Sequence, residues 1–106
     1  MTNVLINAPK TAKKGEVIEL KALIMHPMET GFRPGTNGRL IPRNIVERFV
    51  ATWNGAEIFS MDFSPAISAN PFVSFFAVAS ESGKITFRWT GDEGFAVEES
   101  VSIAVA

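Results

Sequence analysis

The sequence predicts an all-β chain, an immunoglobulin-like antiparallel β-sandwich of about seven strands with no disulfide. Three observations carry this. Apolar residues recur at every second position in several runs, the periodicity of a strand half-buried against a core. Gly, Pro and Asn punctuate those runs at intervals of about 8–12 residues, the spacing of short strands in a sandwich or barrel. No run shows the longer period of an amphipathic helix. The 106 residues include no cysteine, so the core must hold without a covalent staple, which a chain of this size can do. No repeats, linkers or low-complexity segments divide it, and residues 1–106 read as a single domain.

The clearest strand covers residues 16–25. Ile18, Leu20, Ala22 and Ile24 share one face, while Val17, Glu19, Lys21, Leu23 and Met25 share the other. Pro27 lacks the ladder donor and ends it. A long connection follows, from His26 to Arg43, containing Pro27, Gly31, Pro34, Gly35, Gly38 and Pro42. Connections longer than about 12–15 residues in a small domain are functional or mobile. Strands at 49–53 and 57–63 flank Asn54-Gly55, a pair suited to the type I′ hairpin turn, in which both central residues take positive φ. Residues 72–79 are apolar on both faces, with Val73, Phe75 and Ala77 on one and Phe72, Phe76 and Val78 on the other. Such a strand is buried between layers or touches a partner. Residues 84–90 alternate cleanly, with Ile85, Phe87 and Trp89 inward. Ser82-Gly83 and Asp92-Glu93-Gly94 mark turns, and strands at 98–102 and 101–105 finish the chain. Glu99 falls in register with Val101, so either a bulge resets the alternation or a carboxylate faces inward at an edge.

Composition excludes several functions. Ten basic and eleven acidic residues give a net charge of −1, which provides no electrostatic footprint for nucleic acid. No apolar run approaches the ~18 residues of a membrane span. The N-terminal MTNVLINAPKTAKKG lacks the basic start and apolar stretch of a secretion signal. A cytoplasmic chain, a chain exported by other means and a processed chain all fit that. Without cysteine or tyrosine, thiolate and tyrosyl chemistry are unavailable. Apolar residues make up 46% of the chain, a surplus that suits a face covered by a partner.

His26 is the only histidine, and it sits where the first clear strand meets the long connection. One histidine and no cysteine cannot supply the three or four ligands of a zinc site, nor two histidines and a carboxylate. We expect no metal and no cofactor. As a general base His26 would need a nucleophile, and no Gly-x-Ser-x-Gly elbow offers one. The acidic pairs Asp92-Glu93 and Glu98-Glu99 sit at a turn and an edge, where solvated charge is the ordinary reading, and do not converge as the paired acids of a hydrolase must. The simplest account of His26 is a strand-end ring that packs on Pro27 or Met28 and bonds a backbone carbonyl. Gly31 then permits a positive-φ turn. Arg33, Arg39, Arg43 and Arg48 give the connection and its flank a basic character, either solvated or facing an acidic partner or an anion. Trp53 and Trp89 are in phase with core residues and read as core. Stacking on sugar, as in a free-standing carbohydrate-binding module, is the alternative.

Four segments in order, His26-Pro27-Met28-Glu29-Thr30-Gly31 closing a strand, the basic connection reaching Ile41-Pro42, Trp53-Asn54-Gly55, and Asn70-Pro71-Phe72 opening a strand, resemble the SoxZ family of the bacterial sulfur-oxidation (Sox) system. The likeness runs from about Glu16 to the C-terminus, and HPMETG is its most specific part. The resemblance implies an immunoglobulin-like sandwich with no catalytic centre, paired with a SoxY-type subunit that bears the sulfur substrate on the cysteine of a flexible arm. It further implies transient contact with the pathway enzymes and a periplasmic location, reached without a signal of its own as a passenger of the partner. On pattern, the expected partner-binding residues are His26, Pro27, Met28, Glu29, Thr30 and Gly31, then Arg33 and Arg43, and finally Phe76 with Met61 as its neighbour on the adjacent strand.

Overall fold

The structure is a computed structural model and describes residues 3–64, 67 and 69–106. Its strands are β1 (Val4–Asn7), β2 (Thr11–Ala12), β3 (Val17–Ile24), β4 (Val46–Trp53), β5 (Ala56–Asp62), β6 (Phe72–Val78), β7 (Gly83–Gly91) and β8 (Ala96–Val105), with one 3-10 turn at Asp92–Gly94. They form two sheets, β1-β3-β6 and β2-β8-β7-β4-β5. This is the expected immunoglobulin-like sandwich, and among the described residues no helix is long and apolar enough to cross a membrane.

The core lies where the alternation put it. Ile18, Leu20, Ala22 and Ile24 of β3 meet Val73 and Phe75 of β6 on the inner face of the smaller sheet, all buried. Phe49, Ala51 and Trp53 of β4 and Ile85, Phe87 and Trp89 of β7 line the larger one. Aromatic rings knit the layers together. Phe59 of β5 stacks on Phe75 of β6 at 4.5 Å, and Phe49 lies 6.1 Å from Phe75 and 5.1 Å from Trp89. Burying each such ring stabilises the fold by about 1.5–3 kcal/mol. Both tryptophans are therefore core, and the Trp53 indole N–H donates to the Glu81 carbonyl at 3.0 Å.

Several boundaries differ from the expectation. The N-terminal segment forms two short strands that the alternation does not reveal, β1 beside β3 and β2 beside β8. The chain thus changes sheets within the first dozen residues, and the two-residue β2–β8 pair is parallel. The two strands expected at the C-terminus are one, β8, and its register with β7 is unbroken from Ala96 to Ile103. No bulge resets Glu99. It sits opposite Phe87 on the core-facing side, where among the described residues β8 has no outer neighbour and the carboxylate stays exposed. Asn54 (φ 51°) and Gly55 (φ 88°) make the type I′ turn as expected.

The long connection is ordered. β4 starts at Val46, and the preceding residues pair with themselves through bridges Glu29↔Asn44 and Pro34↔Leu40. Glu29 and Asn44 exchange both backbone hydrogen bonds at 2.8 Å, Ile41 N–H donates to the Arg33 carbonyl at 2.8 Å, and Gly35 N–H to the Arg39 carbonyl at 2.7 Å. The connection is an irregular hairpin arm at one end of the sandwich. The molecule measures 58 × 20 × 19 Å. A ten-residue strand spans only about 33 Å, and an arm of this length extends the long axis.

Candidate functional site

Two regions stand out, a knot of loops around His26 and the outer face of the smaller sheet. His26 is 4% exposed and is the only buried polar or charged residue among those described. Its backbone forms a reciprocal pair with Asn70: His26 N–H donates to Asn70 Oδ1 at 2.9 Å, and Asn70 N–H donates to the His26 carbonyl at 2.8 Å. Nδ1 of its ring accepts the Met28 N–H at 3.1 Å, which makes Nε2 the protonated nitrogen of the neutral ring. Phe95 packs edge-on against the imidazole at 4.7 Å. Of the two expected packing neighbours, Pro27 and Met28, the ring engages Met28, and its Nδ1 bonds a backbone N–H rather than the expected carbonyl. Pro27 is exposed, and the ring accepts from an N–H because Met28 folds back over it with φ of 55°. The Met28 side chain turns inward, 5% exposed, and its sulfur accepts the Val46 N–H at 3.2 Å.

Burial holds the His26 pKa below its ordinary value, since a charged imidazole is poorly solvated there. The Asn44 side chain and the Asp92 carboxylate act in the opposite direction. The ring is thus a neutral peg that joins three loops, those after β3, before β6 and after β7. Asn44, Asn70, Asp92 and Phe95 complete the knot. Only Asn70-Pro71 and the Asp92 turn left any local signal, because what joins them to His26 is distance across the fold.

The remaining residues expected on the turn are spread between structure and solvent. Gly31 takes φ of 90°, and a Cβ there would lie 3.2 Å from that of Arg43. Thr30 Oγ1 accepts the Phe32 N–H at 3.3 Å. Arg33 Nε donates to Glu29 Oε2 at 3.1 Å, and that pairing lowers the Glu29 pKa. Arg43 grips Asp92 with two hydrogen bonds, Nε to Oδ2 at 2.9 Å and Nη2 to Oδ1 at 2.7 Å, while Asp92 Oδ2 also accepts the Ile45 N–H at 3.1 Å. Arg43 holds the Asp92 carboxyl below its usual range, and a hydrogen bond to Asp92 raises the Glu47 carboxyl. Both arginines therefore brace the arm. At the arm's surface, Phe32 is 79% exposed and Leu40 61%.

Phe76 and Met61 do not form the joint surface expected of them. Phe76 projects outward from the smaller sheet, 67% exposed. Met61 lies opposite Phe49 on the inner side of the larger sheet and packs against the core. The companions of Phe76 are instead the outward residues of its own sheet. The register sets Leu5, Leu23 and Phe72 in one row, Lys21 opposite Ser74, Glu19 opposite Phe76, and Val17 opposite Val78. Leu5, Val17, Phe72, Phe76 and Val78 are each more than half exposed. Only Glu19 and Lys21 carry charge on this face, and they pair at 3.6 Å. A contiguous apolar face of this kind marks an interaction surface.

Among the described residues, no group of three or more His, Cys, Asp and Glu side chains is placed to hold a metal ion. Neither indole offers an exposed platform for a sugar, which removes the basis for a carbohydrate-binding module built on Trp53 or Trp89.

The family model of the sulphur oxidation protein SoxZ matches residues 6–102. The chain belongs to the SoxZ family. No curated protein matches its sequence. Among solved structures, this SoxZ-family chain is similar to the superoxide reductase (neelaredoxin) of Ignicoccus hospitalis, with a TM-score of 0.73, 17% identity, and coverage of 97% of this chain and 80% of that one. It is also similar to a putative superoxide reductase of Thermotoga maritima, at TM-score 0.72, 17% identity, 97% and 85%. The sulfur carrier protein SoxY of Chlorobium limicola f thiosulfatophilum matches at TM-score 0.68, 14% identity, 97% and 78%. Identities this low establish a shared fold and nothing about chemistry.

Proposed function

We propose that this SoxZ-family chain is the non-catalytic pairing subunit of a sulfur carrier complex. It binds a SoxY-type subunit, which bears the sulfur substrate on a cysteine arm, and with it forms the surface that thiosulfate- and sulfide-oxidising enzymes meet transiently. The observation that carries this reading is the apolar outer face of β1-β3-β6, with Phe72, Phe76 and Val78 exposed, in a chain whose family is the sulphur oxidation protein SoxZ. An isolated domain gains nothing from phenylalanines in water, whereas a lasting interface is apolar at its centre. The lack of cysteine suits such a role, because a thiol beside a sulfur-loaded arm would exchange with it. His26, buried and occupied with holding loops, has the place of a structural residue. The periplasm, reached together with the partner, is part of the same proposal.

The test is size-exclusion chromatography with light scattering on this chain, the SoxY-type subunit of the same cell, and their mixture. A stoichiometric species that persists in moderate salt is expected. Two separate peaks from folded proteins would overturn the proposal.

A further inference from the structure

The four outer edges of the sandwich are unequally defended. β5 carries Glu57 and Asp62. Among the described residues β8 has no strand paired on its outer side from Ala96 to Ile103, and it carries Glu98 and the core-side Glu99. Charges placed in this way obstruct pairing with a foreign strand. β1 is four residues long. β6, FVSFFAV, has no charge, no proline and no bulge in its register with β3, and among the described residues no strand lies on its other side.

The hydrogen-bonding phase of this edge is set by the bonds at its two ends. Ile24 N–H donates to the Pro71 carbonyl at 3.2 Å and Ala79 N–H to the Glu16 carbonyl at 2.8 Å. In an antiparallel pair such bonded positions alternate, so Val73, Phe75 and Ala77 turn their backbone groups to β3. Phe72, Ser74, Phe76 and Val78 turn theirs outward. That makes a row of four N–H and C=O pairs beside an open groove lined by Val17, Ile58, Phe76, Ala77 and Val78.

We propose that β6 is a strand-pairing edge: its outward backbone groups hydrogen-bond an antiparallel strand of a SoxY-type subunit, so that one sheet runs through both proteins. The proposal rests on the pairing function above and specifies how the two chains join. The occupant follows from the fold. The Chlorobium limicola SoxY structure shares this architecture over 97% of the present chain, so a subunit of that fold has an edge strand at the equivalent place. Two such edges meeting about a local twofold axis are antiparallel and give a sheet in which β1-β3-β6 is continued by the partner's corresponding sheet. Backbone bonds set the register, and the groove receives alternate side chains of the added strand.

Amide hydrogen exchange on the free chain and on the complex tests this without altering the protein. Val73, Phe75 and Ala77 are expected to be protected in both states. Ser74, Phe76 and Val78 are expected to exchange freely alone and to slow at least ~10-fold in the complex, as amides do on gaining a ladder bond. Ser74→Pro removes an outward N–H that β3 does not use, and edge strands tolerate such a proline. It is expected to keep the fold and weaken the complex at least ~10-fold, while Ser74→Ala, which keeps the N–H, pairs normally. A complex that forms with no new protection on β6 would overturn this proposal and leave the pairing function standing. Failure of the wild-type chains to associate would overturn both. Protection of the same amides in a homodimer of this chain alone would overturn the assignment of the occupant.

Discussion

His26 carries the clearest residue-scale consequence. Its folded pKa lies below the ordinary value because a buried imidazole resists charge. The unfolded chain therefore binds the proton more readily. The resulting stability is fully present above the unfolded pKa of about 6.5 and is lost as pH falls toward the folded value. Protonation also removes Nδ1 as the acceptor for Met28. Denaturant titrations between pH 7.5 and 5 are expected to show stability declining on acidification. His26→Asn, whose Oδ1 can replace Nδ1 as acceptor without titrating, should flatten that decline; an unchanged slope would assign it to carboxylates. Asn70 adds a second test. It both bonds the His26 backbone and sits at φ of 55°, a conformation Asn and Gly tolerate. Asn70→Gly loses only the side-chain bond, whereas Asn70→Ala also takes on backbone strain, so thermal melts should place Ala about 1 kcal/mol below Gly. The sequence allowed the Asn54-Gly55 turn to be read because its cause is local. It did not allow the knot to be read. His26 and Asn70 are 44 residues apart, and which carbonyl or amide closes on an imidazole depends on where three loops meet.

At the scale of elements, β6 and the 29–44 arm follow opposite logics. The two apolar faces of β6 were legible in its spacing, and so was the outward Phe76. Met61 was misplaced because alternation tells which face of a strand a residue occupies but not which sheet the strand joins. Phe76→Lys should leave the melting temperature within about 3 °C, as surface substitutions commonly do, yet abolish the stoichiometric complex in chromatography. An unimpaired complex would exclude Phe76 from the interface. The arm has little apolar packing and is braced by ion pairs, chiefly Arg43 with Asp92. Arg43→Ala is expected to speed limited proteolysis within residues 32–41 several-fold, without changing exchange in the core strands. Equal cleavage rates would mean that the ladder bonds of Glu29 and Asn44 suffice. The order within the arm was hidden because neither bridge follows a periodic apolar pattern. Its residues satisfy one another's backbone instead.

At the scale of the whole molecule, two sheets clasp one aromatic core and leave one broad apolar face in water. If that face supplies the interface, its binding depends on buried area rather than on charge, since Glu19 and Lys21 already neutralise each other there. Raising salt from 0.1 to 0.5 M shortens the screening length from about 10 Å to about 4 Å. It should change the dissociation constant less than about 3-fold in a calorimetric titration, and a steep salt dependence would point to the arginines of the arm instead.

Glu99 bears on how far association can proceed. Extension by strand addition needs two open edges on each unit, and among the described residues this sandwich has one long uncharged edge, β6. The long edge of the larger sheet is closed by acidic side chains, while that of the smaller sheet is bare. On the proposed edge pairing, occupying the bare side leaves no second long uncharged edge among the described residues for strand addition to extend. A glutamate that interrupts an otherwise regular strand thereby acts as a stop, and it keeps an exposed, uncharged β-edge elsewhere in the sandwich from propagating. Replacing Glu98 and Glu99 with threonine would supply the missing second end, and light scattering should then register higher oligomers.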